Sequence, residues 1–382
     1  MNKAHLALIL TFAAFGSVVG THVGSIPFLI AKSGISPFAF GIAGSLGMLM
    51  NIGCMAAGGL INRIASPRTV LLFIVPVSIA VLLAALSSNS PVTFFVTFLL
   101  LNACIGTMDI FMNAEASVVE HELRRPVFST YHACAMLAIA GFALAGSMTS
   151  VLLAPWFGIV LAAVPLLLAW GAIYKHFHER GPAVVTAGHD RVPLPRGLLT
   201  VIGLAAGFNV TCEVAAIQWS GQLLAKVAPD FAAFSGLGLC FFGICSGGMR
   251  LFGDRLRTGF GDLRVMAVGL AVAVAGFAGL GLAPGFWLSA LAFAAVGFGV
   301  SLVFPCLFAL AGRLAPQARA AAMSYTALVG GLPRVALPWT LGVLAAAHSV
   351  NTVFAACAVF ALAALLLIVM AFARAGHRLS AA

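Results

Sequence analysis

A chain of 382 residues that is 62% hydrophobic and only 8% charged has more apolar surface than a soluble core of that length can hide, which excludes an ordinary water-soluble domain. A formal net charge of +10 invites a nucleic-acid reading, but the basic residues come a few to each loop rather than on one face, which excludes that partner as well. The charge is arranged by side of a membrane instead.

Twelve apolar runs are predicted, at roughly 6–30, 38–62, 69–87, 92–118, 128–153, 156–174, 198–224, 232–252, 264–283, 286–312, 320–345 and 350–373. Each is long enough to cross about 30 Å of hydrocarbon as a helix rising about 1.5 Å per residue. With the start inside, 17 of the 20 Lys and Arg, among them Arg250, fall in cytoplasmic segments, and only Lys32 and Lys226 on the opposite face. That asymmetry predicts a multi-pass protein of the inner (cytoplasmic) membrane with both termini in the cytoplasm. The first run follows Lys3 and is too long for a signal-peptide core, so it is expected to stay as the first span.

Polar residues inside the runs are the candidates for function, because a carboxylate at a helix centre costs about 3 kcal/mol or more unless it has a cavity, a partner or a proton. In the first run His22 is a proton-coupling candidate or a satisfied hydrogen-bonder. The second run has a glycine-rich face, Gly41 to Gly47, expected to approach another helix closely, most simply across the two halves of the chain. In the fourth run Asn102, Gly106, Asp109 and Asn113 form one stripe that should face a central cavity. Glu115 lies off that stripe and is expected to pair with a basic loop residue such as Arg63 or Arg124. Tyr131 and His132 enter the cavity-lining set if the fifth run turns that face inward, and His132 is a second histidine candidate for coupling.

The segment 175–197, rich in Pro, Gly and charge, reads as a cytoplasmic linker between an N-terminal bundle, 1–174, and a C-terminal bundle, 198–382. Its His176, His178 and His189 have no cysteine or paired carboxylate beside them, so no metal site is predicted. In the seventh run Asn209, Glu213, Ala216 and Ser220 share a face, with Gln218 and Trp219 one step round. A carboxylate, amides and an indole make a site for a polar ligand with an apolar face, although Trp219 also suits packing or an interfacial anchor. The eighth run repeats the glycine-rich pattern at Gly243 to Gly247. The eleventh supplies Arg334, the one basic residue expected near a helix centre, within Gly330-Gly331-Leu332-Pro333-Arg334 and before Pro338. Two prolines and paired glycines predict a kinked or locally unwound helix. Arg334 is either the counter-ion of a buried acid, the option that available acids favour, or a clamp for an anionic ligand group. All eight cysteines lie inside apolar runs without CxxC spacing and read as small core residues.

A shift of about 194–196 residues superposes the halves: the loop ending in Arg68 meets the one ending in Arg264, and Arg124 and Arg125 meet Arg319. Such a repeat is the trace of transporter folds in which two bundles rock about a midplane site. The stretch Gly58-Gly59-Leu60-Ile61-Asn62-Arg63-Ile64-Ala65-Ser66-Pro67-Arg68 resembles the loop signature between the second and third helices of the major facilitator superfamily. Gly253-Asp254-Arg255 through Gly261-Asp262-Leu263-Arg264 resembles its degenerate copy. Asn62 and Thr258 stand where that family usually has an acid. The resemblance implies an all-α membrane protein of twelve transmembrane helices in two pseudo-symmetric six-helix bundles, with Gly58, Asn62, Arg63, Arg68, Gly253, Arg255, Gly261 and Arg264 as its conformational motif.

Asp109-Ile110-Phe111-Met112-Asn113, then Tyr131-His132, and Trp219 are similar to the fucose:proton symporter branch of that superfamily and to bacterial permeases near it. The resemblance implies proton-coupled movement of a small polar solute, with Asp109 as a proton or substrate site. The branch has an acid before a proline in its first helix, where this chain has Ile26 before Pro27, so Glu213 or His22 would take that part. The expected function is a secondary transporter working by alternating access, coupled to protons, with a small-molecule substrate, protons and the lipid bilayer as partners. It needs no cofactor, and a monomer is expected. An exporter of amphiphiles is the alternative, disfavoured because Gly141 to Gly146 lacks the Gly-Pro-Gly-Gly-like signature of drug antiporters. A sensor on the same fold stays open. An enzyme is not expected, since no nucleophile or acid/base dyad can be assigned.

Overall fold

The computed structural model describes residues 3–124, 127–179, 194–282 and 285–375. Among them the chain forms thirteen α-helices: α1 (Lys3–Ser33), α2 (Pro37–Ile61), α3 (Pro67–Leu86), α4 (Pro91–Leu123), α5 (Phe128–Leu152), α6 (Phe157–His176), α7 (Arg196–Val227), α8 (Leu237–Phe260), α9 (Asp262–Leu282), α10 (Phe286–Val300), α11 (Val303–Leu314), α12 (Arg319–Ala347) and α13 (Val350–Ala375). Short 3-10 turns at Pro229–Phe234 and Pro316–Ala318 precede α8 and α12. These make twelve segments long and apolar enough to span a membrane, with α10 and α11 together forming the tenth.

Local chemistry sets where the helices begin. α2, α3 and α4 each start at a Ser-Pro pair, and the hydroxyls of Ser36, Ser66 and Ser90 accept from the amides of Ala39, Thr69 and Thr93. Pro at the first position loses nothing there, because its missing N–H would have had no helical partner. Val127 offers α5 no cap of its own. Glu120, near the end of α4, supplies one by accepting from the amides of Val127 and Phe128 at 2.8 and 2.7 Å. The turn from α8 into α9 requires φ of +78° at Gly261, which only glycine adopts without strain.

Three expectations change. The eighth run does not end near 252: α8 continues to Phe260, so Arg250, Arg255 and Arg257 are helical residues and Arg250 lies well inside the span. The eleventh run is not unwound, since α12 is continuous through Pro333 and Pro338. The break falls in the tenth span, between Val300 and Val303, where Pro305 removes the amide that the Ser301 carbonyl would have used. In α12 the amide of Trp339, one residue after Pro338, donates to the hydroxyl of Ser45 on α2 at 2.8 Å.

Helices α1–α6 pack among themselves, chiefly α1 against α5 and α6 and α4 against α2 and α3, while α7 packs against α12 and α13 and α9 against α10 and α13. Two seams join the sets, α2 with α12 and α5 with α8. They are copies of one another: a shift of 195 residues turns Gly41 and Ser147 into Gly236 and Gly342. A Cβ on Gly41 would stand 2.5 Å from the Gly342 Cα, and the Gly236 amide donates to the Ser147 hydroxyl at 3.1 Å. Both glycine-rich faces therefore do what their composition predicts, with Gly44 against Pro338 and Gly243 against Ala140.

These contacts close one end of the molecule, the end where α2 begins and α12 finishes. There Trp219 meets Phe40 edge to face at 5.0 Å, and a Cβ on Gly221 would touch Pro27 at 2.9 Å. At the other end, which carries Lys3 and the α2–α3 link, Leu60 and Ile64 are 63% and 88% exposed. The linker residues 180–193, with Arg180, His189 and Arg191, lie outside the described residues, as do Arg125, Pro126 and Arg378.

Candidate functional site

Asp109 and Asn113 are one helical turn apart on α4, the spacing that lets side chains on one face meet. The Asn113 amide nitrogen donates to the Asp109 carboxylate at 2.8 Å. Its oxygen then faces outward and lies 3.1 Å from Nε2 of His132 on α5. An amide oxygen only accepts, so this arrangement puts a proton on Nε2 of His132. The imidazole is held between Phe12, edge-on at 5.2 Å, and Phe128 at 5.0 Å. All three members of this chain, Asp109, Asn113 and His132, are half-buried.

The second half brings three charges toward it. Glu213 of α7 accepts from Arg250 of α8 at 2.7 Å, with the two side chains only 12% and 17% exposed. Arg334 of α12 makes no such pair. Its Nη2 lies 3.6 Å from the sulfur of Met48 on α2, and its Nε is buried without a hydrogen-bond partner. No carboxylate oxygen of a described residue comes within 4.0 Å of it, yet Asp109 and Glu213 are the charges that act on it electrostatically. Arg250 likewise acts on His132. Asp109, Glu213, Arg250 and Arg334 thus sum to zero when all are ionised, with one compact pair and two charges held apart. The counter-ion reading of Arg334 is accordingly not met by contact, whereas Glu213 has a partner that hydropathy assigned to a loop. Periodicity held the missing signal, because Gly243, Gly247 and Arg250 recur at i, i+4 and i+7 and share the α8 face turned to α5.

Other candidates fall elsewhere. Tyr131 is fully buried and faces α1, where its hydroxyl meets Nδ1 of His5 at 2.7 Å and its ring stacks on Phe12. It does not line a cavity. Asn209 is fully buried against the tenth span and donates to the Val300 carbonyl at 3.2 Å, bracing the break there. Asn102 bonds back to the Phe98 carbonyl at 2.9 Å and, with Gly106, packs against α2 at Gly47 and Asn51. The α4 stripe is therefore divided: its upper half serves helix packing and only Asp109 and Asn113 reach the centre. Gln218 lies against Gly44 in the closed seam, and Trp219, 2% exposed, is a closure residue rather than an interfacial anchor. His22 is buried beside Phe98 at 5.6 Å, away from the Asp109 chain. Glu115 is buried and lines a pocket of about 340 Å³ whose basic members are Lys3 and Lys175 with His176 and His178, not Arg63 or Arg124. Among the described residues no group of three metal-ligating side chains occurs.

No family model matches the chain. It is 27% identical over 368 residues to an uncharacterised MFS-type transporter of Yersinia pestis, covering 92% of this chain and 90% of that one. An uncharacterised transporter of Sinorhizobium fredii is 26% identical over 369 residues, with 92% and 93% covered. The crystal structure of the nucleoside transporter NupG superposes with a TM-score of 0.75 at 14% identity, over 97% of this chain and 99% of that one. The chain has the major facilitator fold.

The loop residues that carried the resemblance to the major facilitator superfamily divide in two. Gly58 packs on Ile110 of α4 and Gly253 on Leu302 at the α10–α11 break, related places in the two halves. Asn62 caps α2, and Arg68 ties α3 to α6 by donating to the Tyr174 carbonyl at 2.9 Å and to Glu179 at 3.2 Å. Arg63, Arg255 and Arg264 are exposed. In the second half the ion pairs centre on Asp262, which accepts from Arg257 at 2.8 Å and from Arg313, rather than on Arg255 or Arg264. The charge cluster of this major facilitator fold therefore lies on Asp254, Arg257, Asp262 and Arg313.

Proposed function

We propose that the chain is a secondary transporter of the major facilitator superfamily that moves a small polar solute by alternating access, in symport with protons. The Asp109–Asn113–His132 chain carries the reading. A carboxylate inside a membrane span, joined through one amide to a histidine, is a group whose charge can be removed by a proton. Losing that charge lowers the cost of reorienting the loaded carrier, and the membrane potential contributes about 2.3 kcal/mol per charge per 100 mV. The resemblance to the fucose:proton symporter branch supports the same part for Asp109. Glu213, paired with Arg250, is the second coupling candidate, and His132 passes its state to Asp109 through Asn113.

In this reading the protein sits as a monomer in the inner membrane with both termini cytoplasmic, residues 175–197 link bundles 1–174 and 198–382, and the closed end faces outward. With the outer end closed, the solute leaves the centre toward the cytoplasm in this conformation, so inward release is the step it represents. Uptake of labelled solutes into proteoliposomes under an imposed inward proton gradient tests the proposal. Accumulation by wild type that is lost in Asp109→Asn, with counterflow exchange retained, is the expected result. Full gradient-driven uptake by Asp109→Asn would remove Asp109 from coupling, and efflux driven by the gradient would replace symport by export.

A further inference from the structure

We infer that the solute is a small organic monoanion and that the guanidinium of Arg334 holds its carboxylate. The inference takes from the transport reading only that a solute occupies the centre of the molecule. A guanidinium has five N–H donors and no acceptor, and it prefers a carboxylate bound by two parallel hydrogen bonds. At Arg334 those donors are nearly idle. Nε is buried with no partner, and the one contact of Nη2 is the Met48 sulfur at 3.6 Å, a weak acceptor.

The carboxylates that act on it electrostatically are engaged elsewhere, Glu213 with Arg250 at 2.7 Å and Asp109 with Asn113 at 2.8 Å. A fold that keeps a cation within a span without a bonded counter-ion leaves room for one that arrives. Position agrees with this. Arg334 lies one turn inside the closed seam, where Pro338 meets Gly44 and the Trp339 amide meets Ser45. The guanidinium is therefore next to the closure on its inner side, where a bound group bears on both halves through α2 and α12.

The charge sum selects a monoanion. Arg250 is already neutralised by Glu213, so a second negative group on the solute would find no free cation and would meet the Asp109 or Glu213 carboxylate. Entry of one anion takes the four central charges from zero to minus one, and one proton on Asp109 restores zero. Arg334 would then be the specificity residue, with Asp109 setting how tightly the anion is held.

Binding to the purified full-length protein separates this inference from the transport reading. The probes are benzoate, L-lactate and D-gluconate, compared with benzamide, lactamide and inorganic phosphate, by calorimetry and by ligand-induced shift of thermal unfolding. At least one carboxylate is expected to bind wild type while its amide does not. Arg334→Gln should weaken that binding about ten- to a hundredfold, and Arg334→Lys should restore part of it. Asp109→Asn, which removes a neighbouring negative charge, should tighten it, and this arm keeps the test sharp if Arg334→Gln does not fold. Binding of the amides as strongly as the acids, no carboxylate binding to wild type, or tighter binding of phosphate than of every carboxylate would overturn the assignment. Arg334-dependent binding without gradient-driven uptake would sink the transport reading alone. Gradient-driven uptake of a neutral solute unaffected by Arg334→Gln would sink this inference alone.

Discussion

A single substitution in the Glu213–Arg250 pair should disturb the fold, because it joins α7 to α8 with both side chains largely shielded, at 12% and 17% exposure. An N–O distance of 2.7 Å puts the charge centres about 4 Å apart, an attraction of about 4 kcal/mol at an effective dielectric constant of about 20. Desolvation offsets part of it, so the pair adds little over two neutral groups, but removing one partner strands the other. That loss runs to about 3–5 kcal/mol for fully buried pairs, and the residual exposure here points to the lower end. Arg250→Gln leaves the Glu213 carboxylate unpaired, and Glu213→Gln leaves Arg250 acting on His132 without compensation.

A loss of about 3 kcal/mol should lower the unfolding midpoint by about 3–6 °C for a chain of this size, scaling from smaller domains. The double variant Glu213→Gln/Arg250→Gln should recover most of that, since two facing amides can hydrogen-bond, giving a coupling energy of about 2–3 kcal/mol. Fluorescence-detected unfolding of the four proteins in one detergent at one pH measures it. Single effects that simply add in the double variant would refute the pair as a structural unit.

Two further outcomes follow from the packing. Gly41→Val places a side chain where even a Cβ stands 2.5 Å from Gly342 Cα and 2.9 Å from the Pro338 carbonyl, so the seam cannot close and the population shifts to the conformer open at that end. Labelling of Ser45→Cys by a membrane-impermeant thiol reagent should rise, and unchanged labelling would show that the seam does not gate that end. Asn209→Ala removes the bond to the Val300 carbonyl and should cost about 1–2 kcal/mol of stability while leaving uptake intact. Lost uptake at unchanged stability would return Asn209 to the solute site that its spacing with Glu213 first implied.

Much of the fold is legible in the sequence. Run lengths and charge asymmetry mark twelve spans, and the faces Gly41–Gly47 and Gly243–Gly247 mark the two seams, because close backbone approach leaves a compositional trace. The spacing that sets Asp109 and Asn113 on one α4 face also permits the bond the structure shows between them, a contact within one helix. Misplacements share one cause. In a soluble helix the polar face identifies the side toward water, whereas a span apolar on every side says little about its rotation. Spacing places Asn209 on the Glu213 face, and Tyr131 lines a cavity only if the fifth run turns inward; helix rotation turns the two to the tenth span and to α1.

What the residues determine unaided are properties of single segments: that each span is helical and apolar, where it is capped, and which buried groups are expensive enough to need a purpose. What the tertiary structure alone decides is which of those groups meet. Arg250 finds Glu213, Asn113 links Asp109 to His132, and Arg334 is left facing a thioether. Pairings between helices depend on rotation and depth in the bundle, and bilayer and protein interior are too alike in polarity for one segment to encode them.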